Sequence, residues 1–194
     1  PLNRPELRFA EDAPLHPNSP YSSSKAAADL LAMSYRRTYG VPVSISRCSN
    51  NYGPYQFPEK LIPRMILRAE MGQPLPVYGT GENVRDWLHV QDHCRALDLI
   101  LRKSRDGALY HISGNCELRN IDLVKQICKI LDKPEDLICH VEDRRGHDLR
   151  YALDASKLYR ELGWEPHIAF SAGLKETVGW YQNHHPWLQT VLGD

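Results

Sequence analysis

Tyr21 and Lys25 stand four residues apart at the start of a stretch that predicts a helix. Side chains with this spacing project from the same face of a helix, so the phenol and the ammonium would lie side by side. A neighbouring ammonium favours the phenolate over the phenol, which makes such a tyrosine a usable base near neutral pH. The pair alone is a weak signal because chance matches are common. Its setting strengthens it, since Pro17-Asn18-Ser19-Pro20 precedes it and Ala26-Ala27-Ala28 follows.

A second polar segment follows the strand predicted over 41–48 and runs from Ser49 to Pro63. Ligands of open α/β sheets sit beyond the carboxyl ends of the strands, where this segment begins. The adjacent amides of Asn50 and Asn51 offer both donors and acceptors, which suits a cofactor amide or a sugar oxygen. Lys60, at the start of a predicted helix, suits a phosphate. The alternative is a polar, well-capped loop without a ligand.

The segment that starts with Pro76-Val77-Tyr78 combines an aromatic side chain, which suits a flat base, with Arg85, whose planar fork suits a diphosphate. The alternative for Arg85 is a surface pair with Asp86 beside a core tryptophan, Trp87. Asn120 is by itself no more than a candidate helix N-cap.

A charge run, Asp143-Arg144-Arg145-Gly146-His147-Asp148, is the last candidate, and by itself it is typical of a solvated turn.

Together these motifs resemble the extended short-chain dehydrogenases that act on nucleotide sugars, and most closely the dTDP-glucose 4,6-dehydratases. The resemblance covers essentially the whole chain. It implies that Tyr21 and Lys25 are catalytic and also contact NAD, and that Asn51 contacts NAD. It implies substrate contacts from Asn50, Lys60, Pro76, Val77, Tyr78, Arg85, Asn120, Asp143, Arg144, Arg145, Gly146 and His147.

The reaction that the resemblance implies is dehydration of dTDP-glucose to dTDP-4-keto-6-deoxyglucose, in which NAD is reduced and reoxidised without net consumption. Tyr21 as phenolate would take the proton of the sugar 4-hydroxyl, and Lys25 would hydrogen-bond the nicotinamide ribose. No metal is implied. A homodimer through the helix of Tyr21 and Lys25 is implied as well, with a second face of that helix as the contact. That face would consist of Ala26, Ala28, Met33 and Arg36.

Two parts of such an enzyme are not found in this sequence. A dinucleotide-binding G-x-G-x-x-G motif should follow an opening strand, but the run from Gly79 ends in Val84 and precedes a strand. The family's Asp-Glu acid–base pair is not Glu11-Asp12, because the order is reversed and the setting is a proline-rich loop. Since the chain begins with Pro1, we expect a fragment whose cofactor-binding half lies upstream. Alone, it should bind NAD poorly and be inactive.

The fold class expected is α/β, namely the tail of a doubly wound parallel Rossmann sheet plus a smaller α/β substrate-binding lobe. Residues 1–50 would end the NAD-binding domain, and 51–194 would be mainly the nucleotide-sugar lobe, with some segments returning to the sheet. Predicted helices are 21–39, 61–71, 92–103 capped by Asp92, 121–131, a short one from Asp154 to Gly163, and a last one capped by Ser171. Predicted strands are 41–48, 76–78, 87–90, 108–112 and 137–141, and the segment 50–60 is predicted as a loop.

Composition excludes several classes. The 194 residues carry 24 basic and 24 acidic side chains, so nothing favours nucleic acid or an anionic membrane as a partner. No apolar run reaches the roughly 18 residues of a membrane helix. Five scattered cysteines predict reduced thiols in a cytoplasmic protein. His89 and His93 could form a metal pair, but the pair straddles a predicted strand-to-helix junction and lacks an H-E-x-x-H motif.

Alternative functions remain open from the sequence. Another nucleotide-sugar enzyme, such as a 4-epimerase or a UDP-glucuronate decarboxylase, would share Tyr21 and Lys25, although the segment from Asn50 to Lys60 favours the dehydratase. A catalytically silent nucleotide-sugar-binding protein is the alternative outside enzymes, and the intact Tyr21 and Lys25 speak against it.

Overall fold

A computed structural model describes residues 7–144 and 146–193 of the protein. Its helices are α1 (Pro20–Tyr39), α2 (Leu61–Glu70), α3 (Val90–Lys103), α4 (Asn120–Ile130), α5 (Ser156–Leu162), α6 (Phe170–Asn183) and α7 (His185–Leu192), with a 3₁₀ turn at Glu135–Leu137. Its strands are β1 (Ile45–Cys48), β2 (Asn50–Tyr52), β3 (Leu75–Tyr78), β4 (Val84–His89), β5 (Leu109–Ile112), β6 (Glu117–Arg119), β7 (Ile138–Val141) and β8 (Arg150–Tyr151).

Most strand pairs are parallel, as expected where helices connect the strands. β1 pairs with β5 in the register Ile45 to Leu109, and β3 pairs with β7. β4 lies between β2 and β6, parallel to β2 and antiparallel to β6, and it also pairs with β8. This topology confirms the predicted α/β class, and the parallel register places the carboxyl ends of β2 and β4, Tyr52 and His89, side by side.

The apolar core of the described residues consists of two clusters. The larger one joins α2, α4 and α6 around β3 and includes Ile66, Ile127 and Leu174, all fully buried. The smaller one packs α3 and α5 against β5, with Tyr110 and Ile112 at its centre. Burial of such side chains stabilises each cluster by about 1.5–3 kcal/mol per residue.

Helix α1 contributes to neither cluster. Local chemistry defines its ends: Ser19 caps it, Pro20 is its first residue, and Gly40 ends it in the left-handed conformation at φ 70°. None of its residues is buried, and the apolar side chains of Leu30 and Leu31 are 67% and 60% exposed. An ion pair of 2.7 Å between Asp29 and Arg47 ties it to β1. Leu30 and Leu31 therefore have little cover among the described residues.

The predicted cap of α3 is wrong. The helix begins at Val90, and the Nδ1 atom of His89 accepts from the backbone N–H of Gln91 at 3.3 Å. Asp92 is instead 1% exposed, and its carboxylate accepts from the backbone N–H groups of His167 and Ile168. A local pattern could not distinguish these roles, because the partners of Asp92 lie far away in sequence.

Further element predictions need correction. α6 begins at Phe170 after Ala169, so Ser171 does not cap it, and α7 was not predicted. Asn120 is the first residue of α4 rather than its N-cap, which is Arg119. The strand predicted over 41–48 is limited to Ile45–Cys48. The predicted loop 50–60 opens with β2, because its first three residues pair with β4.

Three histidines predict how stability depends on pH. Burial lowers the pKa of His89, His93 and His111 below the ordinary value of 6.5. The unfolded chain then binds protons that the folded chain rejects, so the free energy of unfolding falls as pH drops below about 6.5. We expect denaturant unfolding of the intact protein to give a lower free energy of unfolding at pH 5.5 than at pH 7.5, with proton uptake on unfolding.

A matched pair of variants tests the origin of that effect. His111→Asn keeps a donor towards the Phe9 carbonyl, which the Nδ1 atom of His111 approaches at 3.0 Å, but cannot titrate. We expect it to reduce the pH dependence, whereas His16→Asn, at an exposed site, should leave it unchanged. Equal effects of the two variants would contradict the assignment to burial.

Within the described ranges, no helix combines the length and apolar character that crossing a membrane requires.

Candidate active site

Tyr21 and Lys25 lie in the first turns of α1. The Ser19 hydroxyl oxygen accepts from the backbone N–H of Ser22 at 3.1 Å, and the Ser24 hydroxyl donates to the Tyr21 carbonyl at 2.7 Å. These bonds fix the N-terminal turn. The Tyr21 side chain is 73% exposed and Lys25 is exposed too. Both groups are therefore open to a ligand rather than used in packing.

Helix α1 is joined to β1 by the 2.7 Å ion pair of Asp29 with Arg47. Burial raises the pKa of the Cys48 thiol at the carboxyl end of β1, and the hydrogen bond from Asn51 opposes that shift. The Asn51 amide nitrogen donates to the Ser49 carbonyl at 3.1 Å and approaches the Cys48 sulfur at 3.4 Å. Asn50, its neighbour in β2, is half-buried. The Asn51 side chain of β2 thus contacts the carboxyl end of β1.

The Asn51 side-chain oxygen contacts Nδ1 of His93 at 2.8 Å. Sequence reasoning missed this contact, because it weighed His93 only as one half of a metal pair. The available signal was topological: His93 is in the first turn of the helix that follows β4, and β4 is the partner of β2. His89 uses its Nδ1 for the cap of α3, so the two rings have separate tasks. Among residues 7–144 and 146–193, no group of three or more His, Cys, Asp or Glu could hold a metal.

The loop between β2 and α2 is braced from both sides. The Gln56 amide donates to the Asn51 carbonyl at 2.9 Å, and the Tyr181 hydroxyl of α6 donates to the Gln56 carbonyl at 2.6 Å. Tyr55 adopts φ 63°, a costly conformation for a non-glycine residue, and its ring packs on Trp180 at 4.6 Å between centroids. Lys60 follows as the residue that precedes α2, exposed and paired with Glu59 at 2.7 Å.

A second group forms around β3 and the segment 143–148. Val77 is buried, whereas Pro76 and Tyr78 are half-buried. The Arg144 guanidinium lies 4.2 Å from the centroid of the Tyr78 ring, and its hydrogen bond and charge lower the pKa of that phenol. The Nδ1–H of His147 donates to the Asp143 carboxylate at 2.7 Å, and this bond lowers the pKa of that carboxyl. Arg145, the remaining basic residue of the run, lies outside the described residues.

Gly146 connects this second group to the first. It has φ 70°, and a Cβ added to it would lie 3.5 Å from the carbonyl oxygen of Asn18. Asn18 stands directly before the cap of α1, so the charge run reaches the segment that positions Tyr21. The run is therefore more than a solvated turn.

Arg85 and Asp86 do not form the surface pair that was the alternative interpretation. Arg85 donates to the carbonyls of Val84 and Asp148 at 2.7 and 2.8 Å, and burial is the main cause that lowers its pKa. Asp86 is 1% exposed and accepts from the Ser113 hydroxyl at 2.6 Å and from the Cys116 N–H at 2.7 Å. Adjacent residues of β4 thus point to opposite sides of the sheet, Arg85 towards the segment of Asp148 and Asp86 into the interior.

Asn120 carries an unsatisfied group. Its side-chain oxygen is buried and has no hydrogen-bond partner among the described residues, while its backbone N–H donates to the Asn83 carbonyl at 3.0 Å. A buried acceptor without a donor costs about 1–3 kcal/mol. The Asn120 oxygen could therefore accept a hydrogen bond from a water molecule or from a hydroxyl group of a ligand.

Comparison with known proteins identifies relatives. A family model described as GDP-mannose 4,6 dehydratase matches residues 3–177. The dTDP-glucose 4,6-dehydratase of Xanthomonas campestris pv. campestris is 54% identical over 194 residues, which is 95% of this chain and 55% of that protein. The chain spans about half the length of the curated relatives it matches.

Solved structures give the same result. The crystal structure of dTDP-glucose 4,6-dehydratase from Bacillus anthracis, in complex with NAD, has a TM-score of 0.91 at 53% identity and covers 95% of this chain and 59% of that one. The UDP-glucose 4-epimerase of Thermotoga maritima has a TM-score of 0.85 at 28% identity, covering 91% and 57%. The expected Rossmann-type fold and the resemblance to dTDP-glucose 4,6-dehydratases are confirmed.

Proposed function

This chain belongs to the family described as GDP-mannose 4,6 dehydratase, and on that basis we propose that the intact protein dehydrates dTDP-glucose to dTDP-4-keto-6-deoxyglucose with NAD as cofactor. The observation that carries the proposal is the position of Tyr21 and Lys25. Both stand open at the N-terminal turns of α1. The ion pair of Asp29 with Arg47 joins this helix to β1, and Asn18, directly before its cap, approaches Gly146. Relatives with this activity in their names are 54–56% identical.

The residues present suit the cofactor. The ribose hydroxyls need hydrogen-bond partners and the nicotinamide carboxamide needs an amide partner, and Tyr21, Lys25 and Asn51 would hold NAD by supplying them. The bound cofactor would supply a reversible hydride acceptor for the sugar. The Tyr21 phenolate takes the proton of the sugar 4-hydroxyl, and the Lys25 ammonium stabilises that phenolate and bonds the ribose.

The second group holds the nucleotide sugar. Tyr78 and Arg144 form a flat surface for the base, with Pro76 and Val77 on the same strand. Arg85, Lys60 and the amide N–H of Asn120 donate to the diphosphate, and the Asn120 oxygen accepts from a hydroxyl of the ligand. Asn50, Asp143, Arg145, Gly146 and His147 complete the proposed substrate contacts.

The division of the chain follows from the same proposal. Residues 1–50 end the cofactor domain, and 51–194 are mainly the sugar-binding lobe. The parallel pairing of β5 with β1 supports the return of one later segment to the Rossmann sheet.

We further infer a homodimer through the helix of Tyr21 and Lys25. The observation that supports it is the exposure of Leu30, Leu31 and Tyr35 of α1. Of the predicted contact face, Ala28 is exposed, whereas Ala26, Met33 and Arg36 are half-buried. A purely monomeric intact protein in light scattering would rule this out.

The test uses the intact protein, NAD⁺ and dTDP-glucose, with the alkaline ultraviolet absorbance of a 4-keto-6-deoxy sugar as readout. We expect turnover by the intact protein and none by residues 1–194 alone. Turnover of a UDP-sugar instead would favour the 4-epimerase or decarboxylase alternative, whose solved relative is 28% identical. If no nucleotide sugar reacts but dTDP binds, the silent binding protein is favoured.

A further inference from the structure

The carboxamide of Asn51 is held from three directions. Its nitrogen donates to the Ser49 carbonyl and approaches the Cys48 sulfur, while its oxygen contacts His93. A carbonyl oxygen can only accept, so the Ser49 contact requires the amide nitrogen on that side. Flipping the amide would place two oxygens 3.1 Å apart. The orientation of Asn51 is therefore determined by its surroundings.

That orientation also determines the tautomer of His93. The Asn51 oxygen is an acceptor, so the proton of the imidazole must be on Nδ1, which donates at 2.8 Å. His93 is half-buried, and burial lowers its pKa, so the ring is neutral near pH 7. A neutral ring has a single N–H, and here that N–H is directed at Asn51.

We propose that His93 is a positioning residue that acts through Asn51 to hold the nicotinamide-cofactor site in its binding geometry. This inference rests on the proposed function. Asn51 is the middle residue of the three-residue strand β2 and pairs with Leu88 of β4, the strand that leads into α3. The Nδ1–H bond uses one of the two lone pairs of the amide oxygen and leaves the other for a primary amide of the ligand. Without His93, the amide would be restrained only by the Ser49 carbonyl and a weak sulfur contact.

The competing explanation is that His93 only packs α3 against β2. The two differ in what they predict for ligands. Loss of packing would lower the stability of the protein and its affinity for every ligand. Loss of positioning would lower the affinity for NAD⁺ and leave the affinity for dTDP unchanged.

The experiment is calorimetric titration of the cofactor-free intact protein with NAD⁺ and, separately, with dTDP. We expect His93→Leu to weaken NAD⁺ binding about tenfold, the upper range for loss of one hydrogen bond, with dTDP affinity unchanged. His93→Asn places an amide N–H near the position of Nδ1, and we expect it to retain NAD⁺ affinity. If His93→Leu does not fold, His93→Met provides the same deletion of the donor with an unbranched side chain.

A double-mutant cycle with Asn51→Ala separates action through Asn51 from independent effects. In that background, His93→Leu should cause no further loss of NAD⁺ affinity. An additive loss, unchanged NAD⁺ binding by His93→Leu, or a parallel loss of dTDP affinity would each overturn the positioning role. If the wild-type intact protein itself fails to bind NAD⁺, the proposed function fails and the inference fails with it.

Discussion

Tyr21→Phe in the intact protein is expected to lower kcat for dTDP-glucose by about 10²–10⁴-fold, the usual contribution of a positioned acid or base. The phenylalanine keeps the ring and removes only the hydroxyl that would take the proton. Because Tyr21 is 73% exposed and belongs to neither core cluster, the fold should not change. The decrease in kcat is measured from the rate at which the 4-keto product forms, which is monitored by its ultraviolet absorbance in alkali.

Tyr159→Phe is the matched control for that experiment. Tyr159 is another exposed tyrosine, 58% accessible, on α5. We expect its substitution to leave kcat and KM unchanged. Should Tyr21→Phe retain wild-type kcat, the phenol would not be the base, and the proposed mechanism would need another proton acceptor.

Gly114→Ala is expected to lower the free energy of unfolding by about 3 kcal/mol, at the upper end for overpacking of a core. A Cβ at this position would lie 1.9 Å from the Trp87 carbonyl oxygen and 3.0 Å from the Leu88 Cα. Both are backbone atoms of β4 and cannot rotate away. The segment also cannot retreat, because the Gly114 N–H donates to the buried Asp86 carboxylate at 3.1 Å. Denaturant unfolding of the intact protein measures the change.

Gly179→Ala provides the control for this prediction. Gly179 is in α6, and a Cβ there would meet nothing within 4 Å. Alanine is favoured over glycine in a helix interior, so we expect a gain of about 0.5–1 kcal/mol. Equal stabilities of the two variants would show that β4 can shift to accommodate the added methyl group.

The placement of Tyr21 and Lys25 on one helix was predictable because it depends on local spacing. Tyr21 and Lys25 share a helix whose ends are set by Ser19 and Gly40, residues that act within one turn of themselves. The run from Gly79 precedes a strand, β4, as expected, and Gly79 and Gly81 adopt the positive φ values that glycine permits. Helix α7 and strand β2 were not predictable, because both are short and depend on neighbours to form.

By itself the sequence determined which chemistry-bearing residues the chain carries and where most of its helices begin and end, because those features depend on contacts within a few residues. Tertiary structure alone decided how these residues are used. Asp92 looked like a helix cap and is a buried acceptor for a distant loop. His93 looked like half of a metal pair and bonds Asn51. Such roles depend on partners more than forty residues away along the chain, and only the folded sheet brings those partners together.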